Sequence, residues 1–170
     1  DLGSYYNLNG IGSTPIINGD ILIFNGPWSQ HTSINLRTKT INWNTQVPNA
    51  YRTGGGYMIE LGGKIFQSVG NAAQFNILNA SDGSFYKNYS NLGYDSFGSD
   101  FVAYNNHIYF TTTKGLFKMN ASGTIVKQIL ATEALADSLG GSFSNGLDVD
   151  RSTGHIYTTC GFNMVCIKEK

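Results

Sequence analysis

Phe101-Val102-Ala103-Tyr104-Asn105-Asn106-His107-Ile108-Tyr109-Phe110 is two runs of apolar and aromatic residues on either side of a polar pair. β-branched and aromatic side chains suit a pleated surface, and Asn tolerates the positive φ of a two-residue hairpin loop. The stretch therefore reads as an antiparallel hairpin. The pattern occurs three more times: Ile16-Ile17-Asn18-Gly19-Asp20-Ile21-Leu22-Ile23-Phe24, Met58-Ile59-Glu60-Leu61-Gly62-Gly63-Lys64-Ile65-Phe66, and Leu147-Asp148-Val149-Asp150-Arg151-Ser152-Thr153-Gly154-His155-Ile156-Tyr157. Asn18-Gly19 and Gly62-Gly63 read as the turn pairs of the first two. The isoleucines Ile21, Ile65, Ile108 and Ile156 then stand 44, 43 and 48 residues apart.

A third run and a polar turn follow each hairpin, and in three units a fourth run comes after, as in Ser33-Ile34-Asn35-Leu36-Arg37-Thr38-Lys39-Thr40-Ile41-Asn42-Trp43. A period of roughly 40 to 50 residues built of four short strands is that of propeller blades. The expected fold is an all-β propeller of four four-stranded antiparallel blades. Blade 1 falls at 12–45, blade 2 at 56–90, blade 3 at 98–130 and blade 4 at 146–170. Gly12, Gly56, Gly98 and Gly146 precede the first strands, where blades crowd. A short helix is expected at 132–139, where Thr132 opens a helix-forming stretch that stops at Gly140-Gly141, and it accounts for the wider last spacing.

Blade 4 runs out after its third strand, Met164-Val165-Cys166-Ile167-Lys168, whereas Gly3-Ser4-Tyr5-Tyr6-Asn7 resembles Gly83-Ser84-Phe85-Tyr86-Lys87, the start of blade 2's last strand. Residues 1–9 are therefore expected to serve as the last strand of blade 4. They close the ring within one chain, join it to another, or belong with it to part of a larger propeller; an unpaired edge would invite aggregation.

The run Ile34-Asn35-Leu36-Arg37-Thr38-Lys39-Thr40-Ile41-Asn42-Trp43 and the run Leu78-Asn79-Ala80-Ser81-Asp82-Gly83-Ser84-Phe85-Tyr86 resemble the repeat of pyrroloquinoline-quinone-type propellers. Asn145 to Tyr157 is similar to NHL-type repeats. The resemblance spans nearly the whole chain and implies architecture, with blade counts usually above four. It implies no activity here, because a quinone site needs a calcium cage of several carboxylates and a catalytic Asp, and the chain has three Glu, at 60, 133 and 169.

Composition narrows the function classes. Eleven Lys and Arg balance eleven Asp and Glu, and only 13% of residues are charged, which excludes a basic nucleic-acid groove or polybasic membrane surface. No stretch is apolar for long enough to span a bilayer. Gly, Asn, Ser and Thr together make up 68 of the 170 residues, so the polar surface is largely uncharged.

No catalytic, cofactor or metal-ligating residue is expected. Nucleophile elbows and Cys-x-x-Cys pairs do not occur, and Asp148, Asp150 and Ser152 lack the glycine placement and closing Glu of a calcium loop, so an Asx turn is the reading there. His107 and His155 occupy turn flanks. Trp28 and His31 lie on a strand-connecting loop that packs on its own blade or offers the pair to a ligand or partner. Cys160 and Cys166 flank Gly161-Phe162-Asn163, a spacing that places them opposite each other as a cross-strand disulfide or leaves two buried thiols. Asn79, Asn88 and Asn120 begin Asn-x-Ser sequons. Together these features point to a non-enzymatic extracellular structural or interaction protein, secreted or at the cell surface. Its partners would be copies of itself, other extracellular proteins or glycans, with assembly by strand exchange through Gly3, Ser4, Tyr5, Tyr6 and Asn7. The alternative is a lectin-like or peptide-binding module.

Overall fold

The computed structural model describes residues 14–26, 30–46, 57–69, 74–93, 101–131 and 143–168. The chain divides into two compact units, Asp1–Ser90 and Asn91–Lys170. The expected helix at 132–139 and the segment Gly3 to Asn7 lie outside the described residues, as do Trp28, Gly12, Gly56 and Gly98.

In the first unit, β1 (Ile16–Asn18), β2 (Ile21–Asn25), β3 (Gln30–Asn35) and β4 (Thr40–Gln46) form one antiparallel meander. A second comprises β5 (Met58–Leu61), β6 (Lys64–Val69), β7 (Gln74–Asn79) and β8 (Phe85–Tyr89). The β5–β6 loop is Gly62-Gly63, with φ of 60° and 75°, the double positive φ of a type I′ turn. The first hairpin differs by one residue from expectation. Asn18 pairs with Ile21, so the loop is Gly19-Asp20 rather than Asn18-Gly19, and only Gly19 has positive φ, 58°. Leu22, not Ile21, therefore matches Ile65, and the steps from Leu22 to Ile65 to Ile108 are both 43 residues.

Alternation along the strands gives each sheet two faces: a forward face toward the next sheet of its unit and a rear face on the other side. The forward row of the first sheet is Ile16, Ile23, Ser33 and Trp43. Ile23 and Trp43 pack against Met58, Ile65 and Leu78 on the rear face of the second sheet. Ile65 and Leu78 are fully buried, each contributing about 1.5–3 kcal/mol relative to exposure. The Trp43 indole N–H donates to the Ala80 carbonyl at 3.1 Å, which fixes the ring over the edge of the second sheet.

In the second unit, β9 (Val102–Tyr104), β10 (His107–Thr112), β11 (Gly115–Asn120) and β12 (Ile125–Ile129) make a third meander. A three-stranded sheet follows, of β13 (Phe143–Val149), β14 (His155–Cys160) and β15 (Asn163–Lys168). The stacking repeats here: forward residues Tyr109 and Leu116 of the third sheet pack on Phe143, Leu147, Val149, Ile156 and Cys160 on the rear of the fourth.

Two further features recur. The third and fourth strands of the four-stranded sheets shift register at equivalent points, after Ser33, Ile77 and Lys118. Each third strand then ends in an Asn whose side chain ties the turn. Asn35 Oδ1 accepts from the Arg37 and Thr38 amides at 3.0 and 2.9 Å, and Asn120 Oδ1 from the Thr124 amide at 2.8 Å. Asn79 Nδ2 donates to Ser84 Oγ at 2.7 Å. Gly146 corrects the crowding argument: it sits inside β13 at a register shift with φ of 84°, and a Cβ there would meet nothing within 4 Å. Its role is the conformation of a bulge, not a close approach.

Candidate functional site

The residues singled out from the sequence do not converge on one site. His31 lies on β3, not on a loop, and is fully buried opposite Asn25. Its ring packs into the sheet-to-sheet layer and not toward a ligand, because the strand begins one residue before it. Asn25, His31 and Ser33 share the forward face of the first sheet. The apposed rear face of the second carries Gln67 and Asn76, each 1% exposed and directly opposite one another. Gln67 Oε1 and Asn76 Nδ2 have no hydrogen-bond partner among the described residues. This layer is polar but closed, and the sequence concealed it because amides among alternating apolar residues read as solvent-facing positions.

The expected disulfide is also corrected. The β14–β15 loop is the two-residue Gly161-Phe162, so Cys160 pairs with Asn163 and Cys166 with Tyr157. That register puts the cysteines on opposite faces, Cys160 buried and Cys166 exposed, and both are free thiols. Burial raises the Cys160 thiol above its ordinary range. A hydrogen bond with the Cys166 sulfur is the main cause that raises the Tyr157 phenol above its usual value.

Asp150 accepts from the Ser152 amide at 2.9 Å, Ser152 Oγ at 2.7 Å and Thr153 Oγ1 at 2.6 Å. These bonds, led by the Thr153 and Ser152 hydroxyls, hold its carboxyl well below the usual range. The carboxylate is consumed by its own Asx turn. Of the sequon asparagines, Asn88 is exposed on β8, while Asn79 and Asn120 are half-buried in the turns described above. Among the described residues no three His, Cys, Asp or Glu side chains cluster to hold a metal. No described helix is long and apolar enough to cross a membrane. A cavity lined by Tyr109, Leu116, Lys118, Lys127, Ile129 and Ile156 has a volume of about 10 Å³, room for a single water.

The surface that stands out belongs to the fourth sheet. β3, β7 and β11 each pair on both sides, but among the described residues β15 pairs only with β14. Its forward face is bare. Met164 is 78% exposed where the equivalent Leu116 is 2%, and Tyr157 is 40% exposed where Tyr109 is 1%. Cys166 is exposed beside them, and Phe162 protrudes fully at the hairpin tip. Ile23, Phe66 and Tyr109 hold the equivalent position in the other three sheets and are buried, whereas Tyr157 is exposed.

No protein-family model matches the chain, and no curated protein matches it significantly. Solved structures do. BamB from Moraxella catarrhalis aligns with a TM-score of 0.69 and 15% identity over 94% of this chain and 45% of that one. A chain of the mitotic checkpoint complex aligns at 0.66 and 15%, over 92% and 48%. Quinohemoprotein alcohol dehydrogenase from Comamonas testosteroni aligns at 0.65 and 12%, over 90% and 29%. The chain has the β-propeller fold in blade-like repeats, as the sequence led us to expect, and spans half or less of the length of these relatives. They range from an alcohol dehydrogenase to a checkpoint complex, so the likeness fixes architecture and no activity.

Proposed function

We propose that the protein is a non-enzymatic interaction protein of the extracellular space or cell surface, working by association of its sheets rather than by chemistry. The observation that carries this reading is β15, a third strand whose outer edge and forward face are both open in the described structure. A strand edge offers a row of backbone donors and acceptors to an incoming extended segment, and such addition is a general mode of peptide recognition. The segment Gly3 to Asn7 has the sequence of a last blade strand and is the proposed donor. Low charge supports the reading, since an uncharged polar surface sets few like charges against close association. The Asn-x-Ser sequons fit an extracellular setting.

The test is a chain lacking residues 1–9, titrated with a synthetic peptide of residues 1–9. Saturable binding that slows amide exchange along β15 supports the proposal. Absence of binding, with β15 exchange unchanged between the full and shortened chains, rejects it.

A further inference from the structure

We propose that the amide pair Gln67 and Asn76, in the polar layer between the first and second sheets, binds one internal water molecule. Gln67 on β6 and Asn76 on β7 stand directly opposite one another on the rear face of the second sheet, each 1% exposed. Gln67 Oε1 and Asn76 Nδ2 are sealed from solvent and have no hydrogen-bond partner among the described residues. One is an acceptor and the other a donor. A single molecule that donates to the first and accepts from the second completes both.

The repeat shows that the fold does not need amides at this place. The hairpin loops Gly62-Gly63 and Asn105-Asn106 set Lys64 level with His107, and therefore Gln67 level with Phe110. The next strand of each sheet then sets Asn76 level with Phe117. In the third sheet these two positions hold Phe rings, stacked with centroids 5.3 Å apart and each 2% exposed. Two apolar side chains thus fill the site without any polar group to satisfy, whereas a dry amide pair loses its hydration and gains nothing in return. The amides are also smaller than the rings they replace, which leaves room for a guest.

The surroundings select water over a larger or charged guest. The amides belong to the row Met58, Gln67, Asn76 and Asn88. On one side of that row Ile65 and Leu78 are fully buried against Ile23 and Trp43, which closes the layer. The first sheet adds the row Asn25, His31 and Thr45 to the same layer, with Asn25 and His31 4% and 0% exposed. Neither row carries a carboxylate, a lysine or an arginine, so the site offers an ion no fixed counter-charge. Buried waters make about three hydrogen bonds to buried polar groups, and Gln67 and Asn76 supply two of them. Asn88 is exposed on the outer strand β8, so the row has a polar end at the sheet edge where the water can exchange with solvent.

The experiment is water-selective nuclear magnetic resonance on the isotope-labelled full chain. Cross-peaks from water to the Asn76 side-chain amide should have opposite signs in NOE and ROE spectra, the mark of a water that tumbles with the protein rather than of proton exchange. Oxygen-17 relaxation dispersion should then count one long-lived water fewer in the chain carrying Gln67→Leu and Asn76→Leu than in the parent. Cross-peaks of equal sign or none, or an unchanged count in a folded double variant, would overturn the proposal. A coupling across a direct hydrogen bond from Asn76 Nδ2 to the Gln67 side-chain carbonyl would overturn it too, since the amides would then satisfy each other. If the double variant does not fold, the spectra of the unaltered chain decide alone.

Discussion

Gly83 lies against the indole of Trp43, so close that a Cβ on the glycine would stand 2.4 Å from Cε3 of the ring. The glycine also has a φ of 70°, and Thr45 Oγ1 lies 2.8 Å from the same Cβ position. The ring cannot retreat without giving up its bond to the Ala80 carbonyl. Gly83→Ala should therefore combine backbone strain with overpacking and lower stability by about 2–4 kcal/mol. Gly63→Ala is the control, since its φ is 75° but nothing lies within 4 Å, and it should cost only about 1–2 kcal/mol. Urea denaturation followed by Trp fluorescence measures both; equal losses would show that the Trp43 contact is soft.

The same turn shows how far the sequence could be read. Gly-Gly and Asn-Asn pairs between alternating runs specify hairpins locally, so the four-strand repeat was visible before any contact was known. Asn18-Gly19 misled by one residue because Gly19-Asp20 is an equally good loop pair, and the choice is made by which register buries Ile23 against the second sheet. The cysteines failed for the same reason: a two-residue loop and a three-residue loop differ by one residue, and one residue exchanges the faces of a strand. The bare face was illegible because Tyr157 and Met164 have the composition of their buried counterparts. Only a missing neighbour distinguishes them, and that is a fact of tertiary structure.

The two thiols should behave differently. Cys166 is exposed and Cys160 buried with a raised pKa, so a thiol reagent at neutral pH should label one cysteine in the folded chain and both in denaturant. Cys166→Ser should change stability by no more than about 0.5 kcal/mol, and Cys160→Ser should cost about 1–3 kcal/mol by burying a hydroxyl in an apolar layer. Two unreactive sulfurs in the native chain, released by reductant alone, would contradict the register of β14 and β15.

The sequon asparagines separate by structure. Asn120 Oδ1 accepts from the Thr124 amide and from Ser122 Oγ, both at 2.8 Å, so Asn120→Ala should lower stability by about 1 kcal/mol, whereas Asn88→Ala should lie within about 0.5 kcal/mol of the parent chain. When the chain is produced through a glycosylating secretory route, mass spectrometry should find Asn88 the most fully occupied, because Asn79 and Asn120 are engaged in tight turns. Full occupancy at Asn120 in a chain of unchanged stability would show that its side chain does not hold the turn.

Acid should act through Asp150. Its folded pKa lies below the 3.8 of an unperturbed Asp, because Thr153 and Ser152 donate to the ionised carboxylate. Above 3.8 the carboxylate is ionised in folded and unfolded chains alike, and its contribution is fully present. As pH falls below 3.8 the unfolded chain takes up a proton that the folded turn refuses, so stability declines until the folded carboxyl is itself protonated. Asp82, whose carboxyl is lowered chiefly by Ser84 Oγ and then by the Ser84 amide, adds to the same limb with the same sign. Asp150→Asn should therefore flatten the fall of the unfolding midpoint between about pH 4 and pH 2 while leaving the profile near neutrality parallel to that of the parent. The group is fully exposed, so the flattening should be partial and smaller at high salt than at low. An acid limb identical in Asp150→Asn and the parent chain would mean that the turn survives protonation and that the Ser152 and Thr153 bonds do not depend on the charge.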